Sequence, residues 1–225
     1  MKRLFKISIL LLCIFMILGC KKDEPIEPEP DKPVEKEDLS KKISIEDMGI
    51  FDGEYGERDG LLKVSNGNNK AVMANIYVTV YDSSKKATNT KNLYVRLGAS
   101  SSAYVVIRQD FEEPKFYSYD YTVSVSDEEL EDYLSIYRGM DVTYKDTGSK
   151  IEVNFKNNGS KLTTAYALVL FYSNNKVVAV SDATAYNMMP MNFQQVVVNY
   201  PMKTVDTKIS FDRVYVTLNE VSTEL

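Results

Sequence analysis

The eight residues Ala74-Asn75-Ile76-Tyr77-Val78-Thr79-Val80-Tyr81 alternate strictly between two chemistries. Ala74, Ile76, Val78 and Val80 are apolar. Asn75, Tyr77, Thr79 and Tyr81 carry polar atoms. In an extended chain successive side chains point to opposite faces, so the first set reads as a core face and the second as an outer face. The sequence Asp82-Ser83-Ser84-Lys85 follows and has the chemistry of a tight turn. The same order returns downstream. Ala165, Ala167, Val169 and Phe171 form an inner face, Tyr166 and Tyr172 point outward, and Ser173-Asn174-Asn175-Lys176 makes the turn.

The return is not confined to one strand. With a shift of 91, Asn66, Lys70, Ala74, Val78, Tyr81, Lys85, Val105 and Val106 fall on Asn157, Lys161, Ala165, Val169, Tyr172, Lys176, Val196 and Val197. Ile43-Ser44-Ile45 falls on Leu134-Ser135-Ile136, and Asp120 meets Asp212 after one more residue of shift. Further strands are expected at 61–64, 103–108 and 119–125, and in the second copy at 151–155, 194–199 and 213–218. Loops rich in Asn and Gly, Asn66-Gly67-Asn68-Asn69 and Asn157-Asn158-Gly159, separate them. No segment sustains a helical period. The expectation is an all-β chain with two tandem immunoglobulin-like antiparallel β-sandwich modules, at 39–129 and 130–225.

Upstream of the modules the composition changes twice. Residues 1–19 start with Lys2, Arg3 and Lys6 and continue into an apolar run from Ile7 to Leu18, the pattern of a secretory signal. Ile17-Leu18-Gly19-Cys20 resembles the lipobox of bacterial lipoproteins. That resemblance implies cleavage before Cys20, a lipid on its sulfur, and a folded part held outside the cytoplasm at the cell membrane or outer membrane. The competing reading is an ordinary signal peptide with an incidental Cys20. Residues 20–38 form an acidic tether in which Pro25, Pro28, Pro30 and Pro33 alternate with charges. Such a stretch cannot bury a core and is expected to be disordered and extended, at about 3 Å per residue. Lys21-Lys22-Asp23-Glu24 looks like a surface-export signal of one group of Gram-negative bacteria, and equally like a solvated spacer.

The strand ending Val78-Thr79-Val80-Tyr81-Asp82, preceded by Asn66 and Lys70, resembles the FxLYD domain family of bacterial lipoproteins. The second copy, Val169-Leu170-Phe171-Tyr172-Ser173, keeps the Tyr and lacks the Asp. The resemblance implies a sandwich fold and supplies no catalytic residues.

The composition removes most catalytic chemistry. The chain has no histidine, and its two cysteines are Cys13, inside the leader, and Cys20. A Ser-His-Asp or Cys-His arrangement cannot be assembled, and neither can the usual zinc sites. No cofactor is expected. The net charge of −5 and the absence of a basic stripe argue against nucleic acid. Three features keep open readings. Asp127, Glu128, Glu129, Glu131 and Asp132 offer oxygens for calcium, or a solvated connector with a single helical turn. The 16 tyrosines offer a ring platform for glycan or protein, or plain sheet stabilisation. Met188, Met189 and Met191, around Pro190, offer an adaptable partner surface, or packing at the end of a module.

The expected function is a cell-envelope lipoprotein, a non-enzymatic binding or scaffold module attached to the membrane through lipid on Cys20, with its protein or glycan partner unknown. The alternatives are a surface adhesin or carbohydrate-associated protein and, from another class, a carboxylate-dependent hydrolase. Cys20→Ser is expected to abolish incorporation of a labelled fatty acid and to release the chain from the membrane fraction. Undiminished labelling of that variant removes the lipobox reading.

Overall fold

The computed structural model describes residues 38–52, 57–110, 113–126, 128, 130–204 and 207–223. The leader motif at Ile17, Leu18, Gly19 and Cys20, the tether up to residue 37, and Asp127 and Glu129 lie outside the described residues. A 3-10 turn, Leu39–Lys42, is capped by the Asp38 carboxylate, which accepts from the Ser40 amide at 3.2 Å. It leads into β1 (Ile43–Asp52), β2 (Arg58–Asn66), β3 (Val72–Tyr81), β4 (Ala87–Leu97), β5 (Ser102–Arg108) and β6 (Ser118–Ser126). One helix follows, α1 (Glu131–Arg138). Then come β7 (Met140–Asp146), β8 (Lys150–Asn157), β9 (Thr163–Ser173), β10 (Lys176–Met188), β11 (Phe193–Asn199), β12 (Met202–Thr204), β13 (Thr207–Lys208) and β14 (Arg213–Ser222).

The strands pair antiparallel in the orders β1-β2-β5, β4-β3-β6, β11-β8-β7 and β10-β9-β14, with a small β12-β13 hairpin. The first two sheets share one core. Leu62, Val64, Val105 and Ile107 of one meet Ala74, Ile76, Val78, Val80 and Leu97 of the other, with Phe116 fully buried between turns. The last two share a second core, where Ile151, Val153 and Phe155 meet Ala165, Ala167, Val169 and Phe171. Both inner faces expected from alternation are therefore inside. The turns also carry the expected chemistry. Asp82 Oδ1 accepts from the amides of Ser84 and Lys86, and Asn174 and Asn175 both take positive φ, as a two-residue hairpin requires.

Each core is closed at one end by a buried asparagine. The Asn66 side-chain amide donates to the carbonyls of Lys70 (2.9 Å) and Gly98 (2.8 Å), and its oxygen accepts from Asn68 N. The Asn157 amide donates to Lys161 (2.9 Å) and Met188 (2.9 Å), and its oxygen accepts from Gly159 N. Both side chains are 2% exposed. Each knot satisfies loop carbonyls that the sheet ladder cannot reach.

The internal correspondence is not ungapped. Ile43 pairs with Asn66 and Met140 with Asn157, so the counterpart of Ile43 is Met140, at a shift of 97. Leu134-Ser135-Ile136 lies in α1 instead. An apolar pair two residues apart fits a strand, but Tyr133, Ile136 and Tyr137 have helical spacing and pack together on the second core. At the other end Tyr81 pairs with Ser118 and Tyr172 with Arg213, a shift of 95. Asp120 and Asp212 are therefore not counterparts. The second copy is longer here because the β12-β13 hairpin lies between β11 and β14.

Asn66→Asp keeps the shape of the side chain but aims a carboxylate oxygen at carbonyl oxygens. It is expected to lower stability in urea unfolding by about 3 kcal/mol. Asn157→Asp is expected to do the same, and a change under about 0.5 kcal/mol in both would refute the closing role.

Candidate functional site

Strand β9 buries its second face as well as its first. Leu168, Leu170 and Tyr172, on the side away from the second core, are 5%, 0% and 9% exposed. They pack against Leu61 of β2, Phe51 of β1 and Val177 of β10, with Tyr104 and Val106 of β5 beside them. The outer face of β1-β2-β5 thus docks on the outer face of β10-β9-β14, and an apolar seam joins the two cores. Local backbone geometry serves this seam. A bulge in β1 between Asp47 and Gly49, with Gly49 at φ +109 and its amide on Asp47 Oδ1, frees Met48 to pack against it. Only glycine holds that φ without strain.

Polar groups rim the seam. Arg108 spans it, donating from Nη1 to Asp59 Oδ2 at 3.0 Å and from Nη2 to Asp182 Oδ2 at 2.6 Å. Arg96 Nη1 donates to Glu220 Oε1 at 3.1 Å, and the Tyr104 amide donates to Asn219 Oδ1 at 3.1 Å. Burial holds the Asp59 carboxyl above the usual carboxylate range, and the Arg108 guanidinium offsets part of that rise. The Tyr104 hydroxyl is pushed up to about 12, first by burial and then by Tyr172 beside it.

Two clefts open on the rim, each of about 410 Å³. One lies among Phe51, Asp59, Val180, Asn199 and Tyr200. The other has Tyr94, Tyr104, Tyr166, Asn92, Thr184 and Asn219 around a base that includes Val106 and Leu168. Arg108 and Asp182 line both, so their ion pair is the wall between them. The carboxylates here are paired with arginine, which suits fixed recognition better than proton transfer.

The residues singled out from sequence separate. Met188 ends β10 inside the second core at 3% exposure, as Leu97 does in the first. Met189 and Met191 stand out at 63% and 69%, in a turn closed by Asn192 N on Met189 O. Glu131 and Asp132 start α1, where the helix dipole favours acidic groups, and Asp132 lies 3.8 Å from Lys161 Nζ. Glu128 accepts from the Ser126 hydroxyl. Among the described residues no three acidic or cysteine side chains converge as metal ligands. Tyr77 and Tyr166 are open to solvent as expected, but Tyr172 is not, because the seam covers it. Sequence alternation alone does not group the seam residues. The signal they carry is the unbroken apolar run from Ala167 to Tyr172, a pattern of strands covered on both faces.

No family model matches the chain, and no curated protein does. Among solved structures it is similar to the crystal structure of red sea bream transglutaminase, at 12% identity and a TM-score of 0.23, over 80% of this chain and 31% of that one. So low a score carries no argument about fold or activity.

The seam has a signed pH dependence. The raised pKa of Asp59 means that its neutral form favours the fold, so its contribution is present at acid pH and is lost as pH rises through the raised value. Arg108→Gln removes the group that lowers this pKa. The variant is expected to be about 1–2 kcal/mol less stable near neutral pH, with the deficit shrinking near pH 3 where Asp59 is protonated. Urea midpoints across that range read the difference, and a deficit constant with pH would contradict the assignment.

Proposed function

We propose that the chain is a lipid-anchored, non-enzymatic binding or scaffold protein of the bacterial cell envelope. On this reading it has two immunoglobulin-like β-sandwich modules of FxLYD-like character, carried on the tether and locked into one rigid unit. The observation that carries the reading is the seam. A protein that buries Leu61, Leu168 and Leu170 between two sheets holds the clefts beside them in fixed shape. Preformed clefts lower the ordering cost of binding. Against catalysis stand the missing histidine and the pairing of Asp59, Asp182 and Glu220 with arginines. The carbohydrate-associated alternative draws support from the three tyrosines of one cleft. Attachment rests on the lipobox-like residues before Cys20, and the acidic balance leaves adhesion to an anionic membrane to the lipid.

Full-length chain in detergent, incubated with isolated envelope polysaccharide and chromogenic glycoside and ester substrates, tests binding against turnover. Retention on envelope material without product release is expected. Sustained turnover that disappears in Asp182→Asn would establish the hydrolase instead.

A further inference from the structure

We infer that the cleft walled by Tyr94, Tyr104 and Tyr166 is a site for a neutral oligosaccharide. This deepens the binding reading above and rests on it. The volume of about 410 Å³ is in the lower part of the range of small-molecule sites, room for a short saccharide. Aromatic rings suit the carbohydrate faces that present C–H bonds, because the face of the π system is electron-rich. Tyr94 and Tyr166 are 54% and 38% exposed, so both have ring surface to offer.

The polar groups of the cleft match hydroxyls. Among the described residues, the Asn92 amide, the Thr184 hydroxyl and the hydroxyls of Tyr94 and Tyr166 make no hydrogen bond to the protein. The Asn219 oxygen is taken by the Tyr104 amide, which leaves its NH2 to donate. Asp182 and Glu220 each give one oxygen to an arginine and keep the other. A carboxylate oxygen beside amide and hydroxyl groups can accept from one sugar hydroxyl while they donate to its neighbour.

Charge decides between ligand classes. Each arginine near the cleft is already neutralised, Arg108 by Asp59 and Asp182 and Arg96 by Glu220. Among the described residues that line the cleft, no cation is left over to hold a phosphate, sulfate or uronate, and the acidic surplus repels them. The polar walls also disfavour a purely apolar guest. The cleft draws Tyr94 and Tyr104 from one pair of sheets and Tyr166 and Thr184 from the other, so a bound saccharide bridges the seam and stabilises it.

The test presents full-length chain in detergent micelles to an array of neutral gluco-, galacto-, manno- and N-acetylglucosamine oligosaccharides beside sulfated and uronic-acid ones. Neutral members that bind are then titrated by calorimetry. The expected result is binding confined to neutral members, a rise in melting temperature with ligand, and at least about tenfold weaker binding in Tyr166→Ala. The double variant Asn92→Ala, Thr184→Val should weaken binding similarly. Its side chains bond to no described group, so it keeps the test sound if Tyr166→Ala folds poorly. Tyr117→Ala, on a ring stacked with Arg58 outside both clefts, should bind as the wild type does. Binding only of acidic members, no binding at all, or neutral binding unchanged in the double variant overturns the proposal. Retention on envelope polysaccharide that survives every cleft variant leaves the binding reading standing while this site falls.

Discussion

Strand β9 is apolar on both faces over most of its length, with Tyr166 alone open to solvent. Ala165, Ala167, Val169 and Phe171 point into the second core, and Leu168, Leu170 and Tyr172 point the other way. Burying one leucine side chain is worth about 1.5–3 kcal/mol, so a bare outer face would cost several such increments. The sheet β10-β9-β14 therefore needs a cover, and β1-β2-β5 supplies it with Leu61, Tyr104 and Val106. The Arg108 bridge and the two clefts lie along that docking, and Met48 of the Gly49 bulge packs into it. Antiparallel sandwiches commonly leave one face of each sheet to solvent, and here two of the four sheets do not.

The ends of the two cores obey a different rule. Where the strands run out, loop carbonyls need partners, and one asparagine beside each core answers two of them. Asn66 and Asn157 both donate to the carbonyl four residues on and to a second carbonyl displaced by one residue between the copies, Gly98 in one and Met188 in the other, although the strands around them have drifted apart by six residues on one side and four on the other. An asparagine both donates and accepts, which neither aspartate nor an apolar residue can do at that site. The polar knots keep each end closed, and the apolar seam binds the two units together.

Strand positions and inner faces were legible because period-two alternation depends only on neighbours along the chain. Ala74 to Val80 and Ala165 to Phe171 are the plainest cases. The paired turns were legible for the same local reason. The helix was harder to see, since Leu134-Ser135-Ile136 copies the spacing of a strand and its helical partners Tyr133 and Tyr137 are aromatic residues equally at home in sheets. Met188 illustrates a boundary effect. Three methionines in a row of four look alike in sequence, and the last residue of β10 turns inward while the next two positions of methionine do not.

By itself the sequence determined the all-β character, the inner faces, the hairpin chemistry of Asp82 and Asn174-Asn175, the twin asparagines and the poverty of catalytic groups, because each depends on residue type or short spacing. Only the tertiary structure decided which outer faces meet. Arg108 and Asp182 are 74 residues apart, and Tyr94 and Tyr166 come from different pairs of sheets. No local pattern encodes such a meeting, since it is set by which apolar surfaces are left over once each core has closed. The cleft, and with it the proposed saccharide site, exists only after that choice.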